Sequence, residues 1–306
     1  MTKPTVVVTG VAKSYGNVTA VKDVSFTLNE GETVALVGHN GAGKTTIVKL
    51  LLGLIRPSEG SVKVLGEDPA RGDFGVRQRL GYLPESVAFH MALTGRETLA
   101  FYARLKRVDL SCAPELLERV GLAAEAADRP VRTYSKGMRQ RLGLAQALLG
   151  QPRVLLLDEP TSGLDPALRR RFYDLLDDLR STGTTILLSS HALTELEDRA
   201  DRVLIVNQGV KIADGTLDSL RGLARLPTRI SLKLSNGASA ENSNSGGAVW
   251  SRARNDMVET EVAMEDKVTL LKTLTANPAD IAALHVMEPT LDDLYAHFLN
   301  TKRAAE

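Results

Sequence analysis

Short apolar segments alternate with helix-like segments over the first two thirds of the chain. Residues 154–157 (Val-Leu-Leu-Leu) and 186–188 (Ile-Leu-Leu) are apolar at every position. A β-rich segment at residues 33–37 is followed by a helical pattern over residues 46–54. Strands that are apolar at every position are typical of parallel sheets buried on both faces. The pattern therefore predicts an α/β domain over residues 1–220.

The pattern changes near Arg221, where strict alternation of apolar and polar residues replaces the continuous apolar segments. Such alternation predicts half-buried antiparallel strands. Thr290 and Asp293 have the spacing of a helix capping box. Residues 221–306 are therefore predicted to form a small α+β accessory domain. Its predicted elements are strands over 229–234 and 258–264, a mobile loop over 236–247 rich in Asn, Ser, Gly and Ala, and helices over 266–277 and from 290 onward.

The composition is that of a globular protein, and it excludes several classes. The 306 residues include 38 Lys and Arg against 37 Asp and Glu, so no basic field for nucleic acid exists. The single cysteine, Cys112, excludes an internal disulfide framework. No segment reaches the roughly 18–20 apolar residues of a membrane span, and the N-terminal residues lack a signal-peptide pattern. These features predict a cytoplasmic protein that binds no nucleic acid.

A phosphate-binding loop is predicted directly after the β-rich segment at residues 33–37. Residues 38–45 read Gly-His-Asn-Gly-Ala-Gly-Lys-Thr and fit the pattern G-x-x-x-x-G-K-[ST]. The glycines allow the main chain to wrap an anion with its N–H groups, and the helix N-terminus adds partial positive charge. Lys44 can reach the outer phosphates, and the Thr45 hydroxyl can ligate Mg²⁺. The predicted nucleotide-binding residues of this loop are Gly38, His39, Asn40, Gly41, Ala42, Gly43, Lys44, Thr45 and Thr46.

Two acidic residues, Asp158 and Glu159, follow the apolar segment at residues 154–157. Ligands of parallel sheets collect at the carboxyl ends of the strands. Asp158 is suited to Mg²⁺ ligation, and Glu159 is suited to polarising an attacking water. The alternative is a pair of solvated acids that begins a turn before Pro160. The phosphate-binding loop in the same chain favours the catalytic interpretation.

The order of three further motifs carries a family resemblance. Residues 134–138 (Tyr-Ser-Lys-Gly-Met) precede the acidic strand, residues 162–165 (Ser-Gly-Leu-Asp) follow it, and residues 189–191 (Ser-Ser-His) end the next strand. This order resembles the nucleotide-binding subunit of ATP-binding-cassette (ABC) transporters over about residues 6–215. The resemblance implies a P-loop NTPase fold with a helical signature subdomain at about residues 86–150.

The resemblance implies a role for each matching position. Tyr15 matches the aromatic residue that stacks on adenine, and Ser135 and Gly137 match signature positions that contact the γ-phosphate across a dimer interface. Asp165 matches the loop that crosses that interface, and His191 matches the switch histidine that contacts the γ-phosphate. Two copies, head to tail, would then enclose two ATP molecules with Mg²⁺. An ordinary turn tyrosine, helix start, turn acid and structural histidine stay open as alternatives.

Two positions depart from the commoner family form. The signature reads Tyr-Ser-Lys-Gly-Met instead of Leu-Ser-Gly-Gly-Gln, so that Lys136 either adds a cation near the phosphates or faces solvent. Glu85 occupies the place of a glutamine that, in many members, links Mg²⁺ and the attacking water to the membrane partner. A glutamate could still ligate Mg²⁺; the alternative is a loop acid after Pro84.

The resemblance also implies a separate membrane permease as partner. Residues 81–85, 134–142 and 289–295 resemble bacterial exporter-type ATPases. Within that branch, the sequence most resembles the ATPase of the system for copper-site maturation of nitrous oxide reductase. That ATPase joins a permease and a periplasmic copper-handling subunit. The expected location is therefore peripheral, on the inner face of the bacterial cytoplasmic membrane.

Other functions remain open beside this one. An exporter ATPase for a drug, lipid or polysaccharide cargo fits the same motifs, as does a non-transport ABC ATPase. The chain lacks the coiled-coil heptads of chromosome-type ABC ATPases and the second cassette of ribosomal ones. It also lacks the Asn-Lys-x-Asp guanine motif of GTPases, so these three classes of protein are disfavoured. The intact Lys44, Asp158, Glu159 and His191 argue against an inactive regulatory protein.

Overall fold

The structure is a computed structural model that describes residues 3–72, 74–190, 192–234, 249–252, 257–276 and 281–303. It contains two compact units, Met1–Asp214 and Gly215–Glu306. Two sequence predictions, His191 and the loop at 236–247, lie outside the described residues.

The first unit contains both strands and helices. Its strands are β1 Pro4–Tyr15, β2 Val18–Asn29, β3 Thr33–Val37, β4 Glu59–Val64, β5 Leu80–Leu83, β6 Val154–Asp158, β7 Thr185–Ser189, β8 Arg202–Asn207 and β9 Val210–Gly215. Its helices are α1 Lys44–Leu51, α2 Phe74–Gln78, α3 Gly95–Lys106, α4 Ala113–Arg119, α5 Ala124–Ala127, α6 Lys136–Leu148, α7 Pro166–Ser181 and α8 Leu193–Leu196.

A six-stranded sheet with the order β5-β6-β7-β3-β8-β9 forms the centre of the first unit. The pairs from β5 to β8 are parallel, and every residue of β3, β6 and β7 is buried. These strands are apolar at nearly every position because both of their faces are covered. The structure confirms the predicted α/β fold. It also places the carboxyl ends of β3 and β6 on either side of β7, at one edge of the sheet.

A separate antiparallel sheet, in the order β2-β1-β4, covers part of this core. Its inward side chains, such as Val6 and Phe26, belong to one apolar cluster with Ile47 and Leu51 of α1. The sequence pattern alone does not separate these strands from the parallel sheet. The β1–β2 register contains several bulges, which interrupt the period-two alternation that would have revealed the sheet.

Helices α3 to α6 lie within the segment predicted as the helical signature subdomain. α3 begins at a capping box formed by Thr94 and Glu97. At the start of α6, the Tyr134 hydroxyl donates to the carbonyl oxygen of Ala126 at 2.6 Å. At the other end of α6, Lys106 Nζ donates to the carbonyl oxygen of Leu149 at 2.6 Å. Both ends of α6 are thus tied to other parts of this segment.

The second unit contains α9 Leu217–Ala224, β10 Thr228–Leu234, β11 Ser251–Arg252, β12 Met257–Val262, α10 Lys267–Thr275, β13 Ile281–Met287 and α11 Leu291–Arg303. Its antiparallel sheet has the order β11-β12-β10-β13, and Ile230 and Leu232 of β10 pack with Leu270 and Leu274 of α10. The predicted antiparallel strands are confirmed by the pairing of β10 with β12. The domain boundary predicted after residue 220 falls within α9.

The helix α11 begins as its sequence predicts. The Asp293 N–H donates to Thr290 Oγ1 at 3.2 Å, and the Thr290 N–H donates back to Asp293 Oδ2 at 2.9 Å, which is a complete capping box. Among the described residues, the structure contains no helix long and apolar enough to cross a membrane.

Candidate functional site

The loop between β3 and α1 creates a cavity at the start of that helix. Gly43 precedes the helix with a φ of 107°, and a Cβ there would lie 2.8 Å from the carbonyl oxygen of Ala20. Gly43 also offers no side chain to cap the helix, and the first-turn residues line an open cavity of about 240 Å³. Uncapped N–H groups and the helix dipole make this cavity a binding site for an anion.

Most of the predicted nucleotide-binding residues surround this one cavity. Gly38 and Ala42 are buried beside it and form the inner side of the loop. Ala20 of β2 was missed by the sequence analysis, since an alanine in a strand carries no motif. The described residues that line the cavity are Ala20, His39, Asn40, Gly41, Gly43, Lys44, Thr45, Thr46, Glu85, Asp158 and Glu159.

Lys44 lies between the loop and the acidic strand end. Its Nζ donates to the carbonyl oxygen of Gly38 and, at 3.3 Å, to that of His39. Burial lowers the pKa of Lys44, whereas nearby carboxylates, chiefly that of Glu159, raise it. The lysine is therefore a buried cation at the rim of an anion site, held by its own loop.

The acids at the end of β6 share the same cavity because the chain turns at Glu159. Glu159 has a φ of 48°, a left-handed conformation that interrupts the alternation of strand side chains. Ser189 of β7 donates its hydroxyl to Asp158 Oδ1 at 2.6 Å and accepts the Glu159 N–H at 3.1 Å. This buried serine holds the Asp158 carboxylate and the main chain of Glu159. Ser189 was not predicted as a site residue, although a polar residue at the end of a buried strand is itself a signal.

The cavity fits a Mg²⁺-bound nucleotide by the chemistry of its lining. The Thr45 hydroxyl and the Asp158 carboxylate are hard oxygen donors of the kind that Mg²⁺ prefers. Lys44 and the uncapped first turn of α1 match the charge of a triphosphate. Glu85 is exposed at the same cavity, close enough to Lys44 for its charge to raise the lysine pKa.

The predicted signature residues begin two helices elsewhere in the first unit. Ser135 caps α6 by accepting the Met138 N–H at 3.2 Å, and Gly137 lies in the first turn. Asp165 caps α7 by accepting the Leu168 N–H at 2.9 Å. In the described part of the chain, neither helix start contributes to the lining of the cavity.

The remaining two predicted contacts are Tyr15 and His191. Tyr15 ends β1 with its side chain 47% exposed, and Lys13 Nζ lies 5.3 Å from the ring centroid. Its ring is therefore accessible to a flat partner, although it does not line the cavity of the described residues. His191 lies outside the described residues and stays a prediction.

Comparison with known proteins is consistent with this geometry. The family model of ABC transporters matches residues 21–162. The chain is 46% identical over 210 residues to an uncharacterised ABC transporter ATP-binding protein of Nostoc sp., which covers 67% of this chain and 62% of that protein. It is 34% identical over 295 residues to an uncharacterised ABC transporter ATP-binding protein of Bacillus subtilis, which covers 96% of this chain and 94% of the relative.

Two further similarities concern cargo and assembly. The linearmycin resistance ATP-binding protein of Bacillus subtilis is 33% identical over 300 residues, which covers 93% of this chain and 95% of that protein. The dimeric structure of a bacterial ABC transporter cassette aligns with a TM-score of 0.64 at 25% identity, over 69% of this chain and 98% of that one. The chain has a phosphate-binding loop beside an acidic strand end, and its relatives match it along nearly the whole sequence. It therefore belongs to the ATP-binding proteins of ABC transporters.

Proposed function

We propose that this protein hydrolyses ATP as the energy-supplying subunit of an exporter-type ABC transporter. The observation that carries the proposal is the shared cavity of Lys44, Asp158 and Glu159 at the carboxyl edge of the parallel sheet. A cation for phosphates, a ligand for Mg²⁺ and a carboxylate for water are the parts that phosphoryl transfer to water requires.

Each residue of the cavity then has a distinct task. Lys44 and the first-turn N–H groups of α1 bind the β- and γ-phosphates, and Thr45 and Asp158 hold the Mg²⁺ with Glu85 beside them. When bound, Mg²⁺ neutralises charge on the phosphate oxygens. Glu159 orients and polarises a water for in-line attack on the γ-phosphorus. The bond to the bridging oxygen breaks, and ADP and inorganic phosphate leave.

We propose that a second copy of the chain completes each site. Ser135, Gly137 and Asp165 begin helices away from the cavity, so they can meet a γ-phosphate only from another molecule. The dimeric cassette among the similar structures supports this arrangement. His191 would contact the γ-phosphate, and the half-exposed Tyr15 ring would stack on adenine.

The membrane partner would be a separate permease, with this subunit peripheral on the inner face of the bacterial cytoplasmic membrane. The linearmycin-resistance relative matches both compact units, which favours a drug as the cargo. The copper-site maturation role, with its periplasmic subunit, stays a prediction carried by residues 80–105 and 131–150. Co-purification with a multi-span protein from a detergent extract supports transport, whereas elution only with ribosomes or DNA contradicts it.

The decisive experiment for hydrolysis is the substitution Glu159→Gln. The amide keeps the size of the side chain but cannot act as a base, so turnover should fall by about 100-fold or more. ATP binding should persist, and a closed ATP-bound dimer should accumulate, as measured by light scattering after gel filtration. Glu125→Gln, an exposed acid on α5, is the matched control. A turnover of Glu159→Gln equal to that of wild type would contradict the proposal.

A further inference from the structure

Helix α6 contacts the loop that runs from Glu159 to Asp165, called the 159–165 loop below. Lys136 Nζ donates to Ser162 Oγ at 3.1 Å, and Gln140 Nε2 donates to the carbonyl oxygen of Pro160 at 3.2 Å. Residues 136 and 140 are one turn apart on the helix and therefore lie on one face. One face of the signature helix thus holds the loop that follows the catalytic strand.

The Gln140 contact is buried and adjacent to the proposed catalytic acid. The Gln140 side chain is 4% exposed, and its acceptor belongs to the residue that immediately follows Glu159. When a buried carbonyl oxygen loses its hydrogen-bond donor, the folded state is destabilised by the full desolvation free energy of that oxygen. The hydrogen bond therefore restrains the main chain at the point where Glu159 adopts its left-handed conformation.

The Lys136 contact occurs at a glycine that permits it. Gly163 has a φ of +82°, and a Cβ there would lie 3.0 to 3.3 Å from the Cδ, Cε and Nζ atoms of Lys136. The lysine stem thus lies over this glycine before its ammonium group reaches Ser162. The sequence left open whether Lys136 adds a cation near the phosphates or faces solvent. In the folded chain, Lys136 is exposed to solvent, and its ammonium group also connects the signature helix to the 159–165 loop.

The 159–165 loop joins the two halves of the proposed site. Its Ser162 N–H donates to the Glu159 carbonyl at 3.2 Å, and its Leu164 N–H donates to the Thr161 carbonyl at 3.1 Å. Glu159 begins the loop at the phosphate cavity, and Asp165 ends it as the cap of α7. The contacts from α6 to Pro160 and Ser162 therefore lie between the residues at the two ends of the loop.

We propose that Lys136 and Gln140 are positioning residues that set the 159–165 loop, and with it the Glu159 carboxylate, according to the position of the signature helix. The proposal rests on the proposed ATP hydrolysis, in which Ser135 at the start of the same helix contacts the partner's γ-phosphate. The position of the helix is then coupled to the placement of the attacking water. Neither residue lines the phosphate cavity of its own chain among the described residues.

Steady-state kinetics test the positioning role. Lys136→Ala and Gln140→Leu should each lower kcat about tenfold, since a misplaced base slows chemistry, and should leave KM for ATP within about twofold. Lys136→Arg should retain most of the turnover, because a guanidinium can reach Ser162. Ser162→Ala should reproduce Lys136→Ala, and the double variant should be no slower than either single one. Arg132→Ala and the half-buried Gln146→Leu of α6 are the matched controls.

Hydrogen exchange tests the contact without any turnover. In nucleotide-free protein, the amides of Ser162 and Leu164 should exchange about tenfold faster in Lys136→Ala and Gln140→Leu than in wild type. Unchanged exchange in both variants overturns the proposal. Wild-type kcat in both variants, in a protein whose Glu159→Gln form is inactive, also overturns it while the proposed function stands. If instead Glu159→Gln turns over like wild type, the proposed function fails and the exchange rates alone decide about the contact.

Discussion

The two halves of the candidate site are built in different ways. The phosphate-loop half, with Lys44 and Asp158, lies on the ends of β3 and β6, and the order β6-β7-β3 brings these strand ends together within one chain. The signature half, with Ser135 and Asp165, lies at the starts of α6 and α7, where both side chains cap their own helices. A parallel sheet thus assembles one half within a single chain, whereas under the proposed function the other half acts on a second molecule.

This difference separates binding from turnover. Under the proposed function, one chain holds the residues that bind phosphates and Mg²⁺, so it should bind nucleotide as a monomer. Hydrolysis would then require the signature half of another copy, and the 159–165 loop lies between the two halves. Assembly of the dimer would regulate turnover at such a site.

The largest expected effect comes from the phosphate-loop half. Lys44→Ala removes the buried cation that faces the triphosphate, so both ATP affinity and turnover should fall by about 100-fold or more. Calorimetric titration with ATP and a phosphate-release assay measure the two quantities. Lys49→Ala, an exposed lysine of the same helix, should match wild type in both. A Lys44→Ala protein that binds ATP normally would place the phosphates elsewhere.

A mixing experiment tests whether the signature half acts in trans. Ser135→Asp keeps a good helix cap but places a carboxylate where the γ-phosphate would lie, so it should bind ATP and fail to hydrolyse it. Mixed with inactive Lys44→Ala, it should regain up to about a quarter of wild-type turnover, since half of the random dimers contain one intact site.

The control for that mixture is each variant alone at the same total concentration. Normal turnover of Ser135→Asp by itself would show that residue 135 does not lie at the γ-phosphate. Persistent inactivity of the mixture, with dimers present by light scattering, would show that the two halves do not meet between copies.

Local patterns predicted the half of the site that motifs describe. The strands β3, β6 and β7 could be read from the sequence because burial on both faces demands apolar residues throughout. The phosphate-binding loop could be predicted because its glycines, Lys44 and Thr45 lie close together in the sequence. In the structure, all of them line one cavity or its inner wall. The structure shows that these residues line the cavity or lie beside it, whereas their roles in nucleotide binding stay proposals.

Contacts between distant segments could not be predicted in this way. Ala20 lines the cavity from β2, and Ser189 of β7 donates to Asp158 in its wall, but neither residue type indicates a site by itself. The strand β13 at Ile281–Met287 was missed since its residues are nearly all apolar, without the alternation that marks a half-buried strand. The direction of Lys136 depends on the fold of a loop more than twenty residues away. Tertiary packing therefore decided each of these features.

The smallest expected effect concerns the far end of the signature helix, where Lys106 donates to Leu149. Burial lowers the pKa of Lys106 from 10.5 to about 8. Between these two values the unfolded chain binds the proton and the folded protein does not, so the free energy of unfolding rises with pH in this interval. Because the side chain is only half-buried, the gain in free energy of unfolding relative to Lys106→Met should be on the order of 1 kcal/mol.

Urea unfolding of both proteins from pH 7.5 to 10 measures this gain, with Lys49→Met as control. A constant difference across this interval would mean that burial does not penalise the charged form of Lys106, whereas a rising one shows that burying the ammonium group opposes folding at this end of the signature helix.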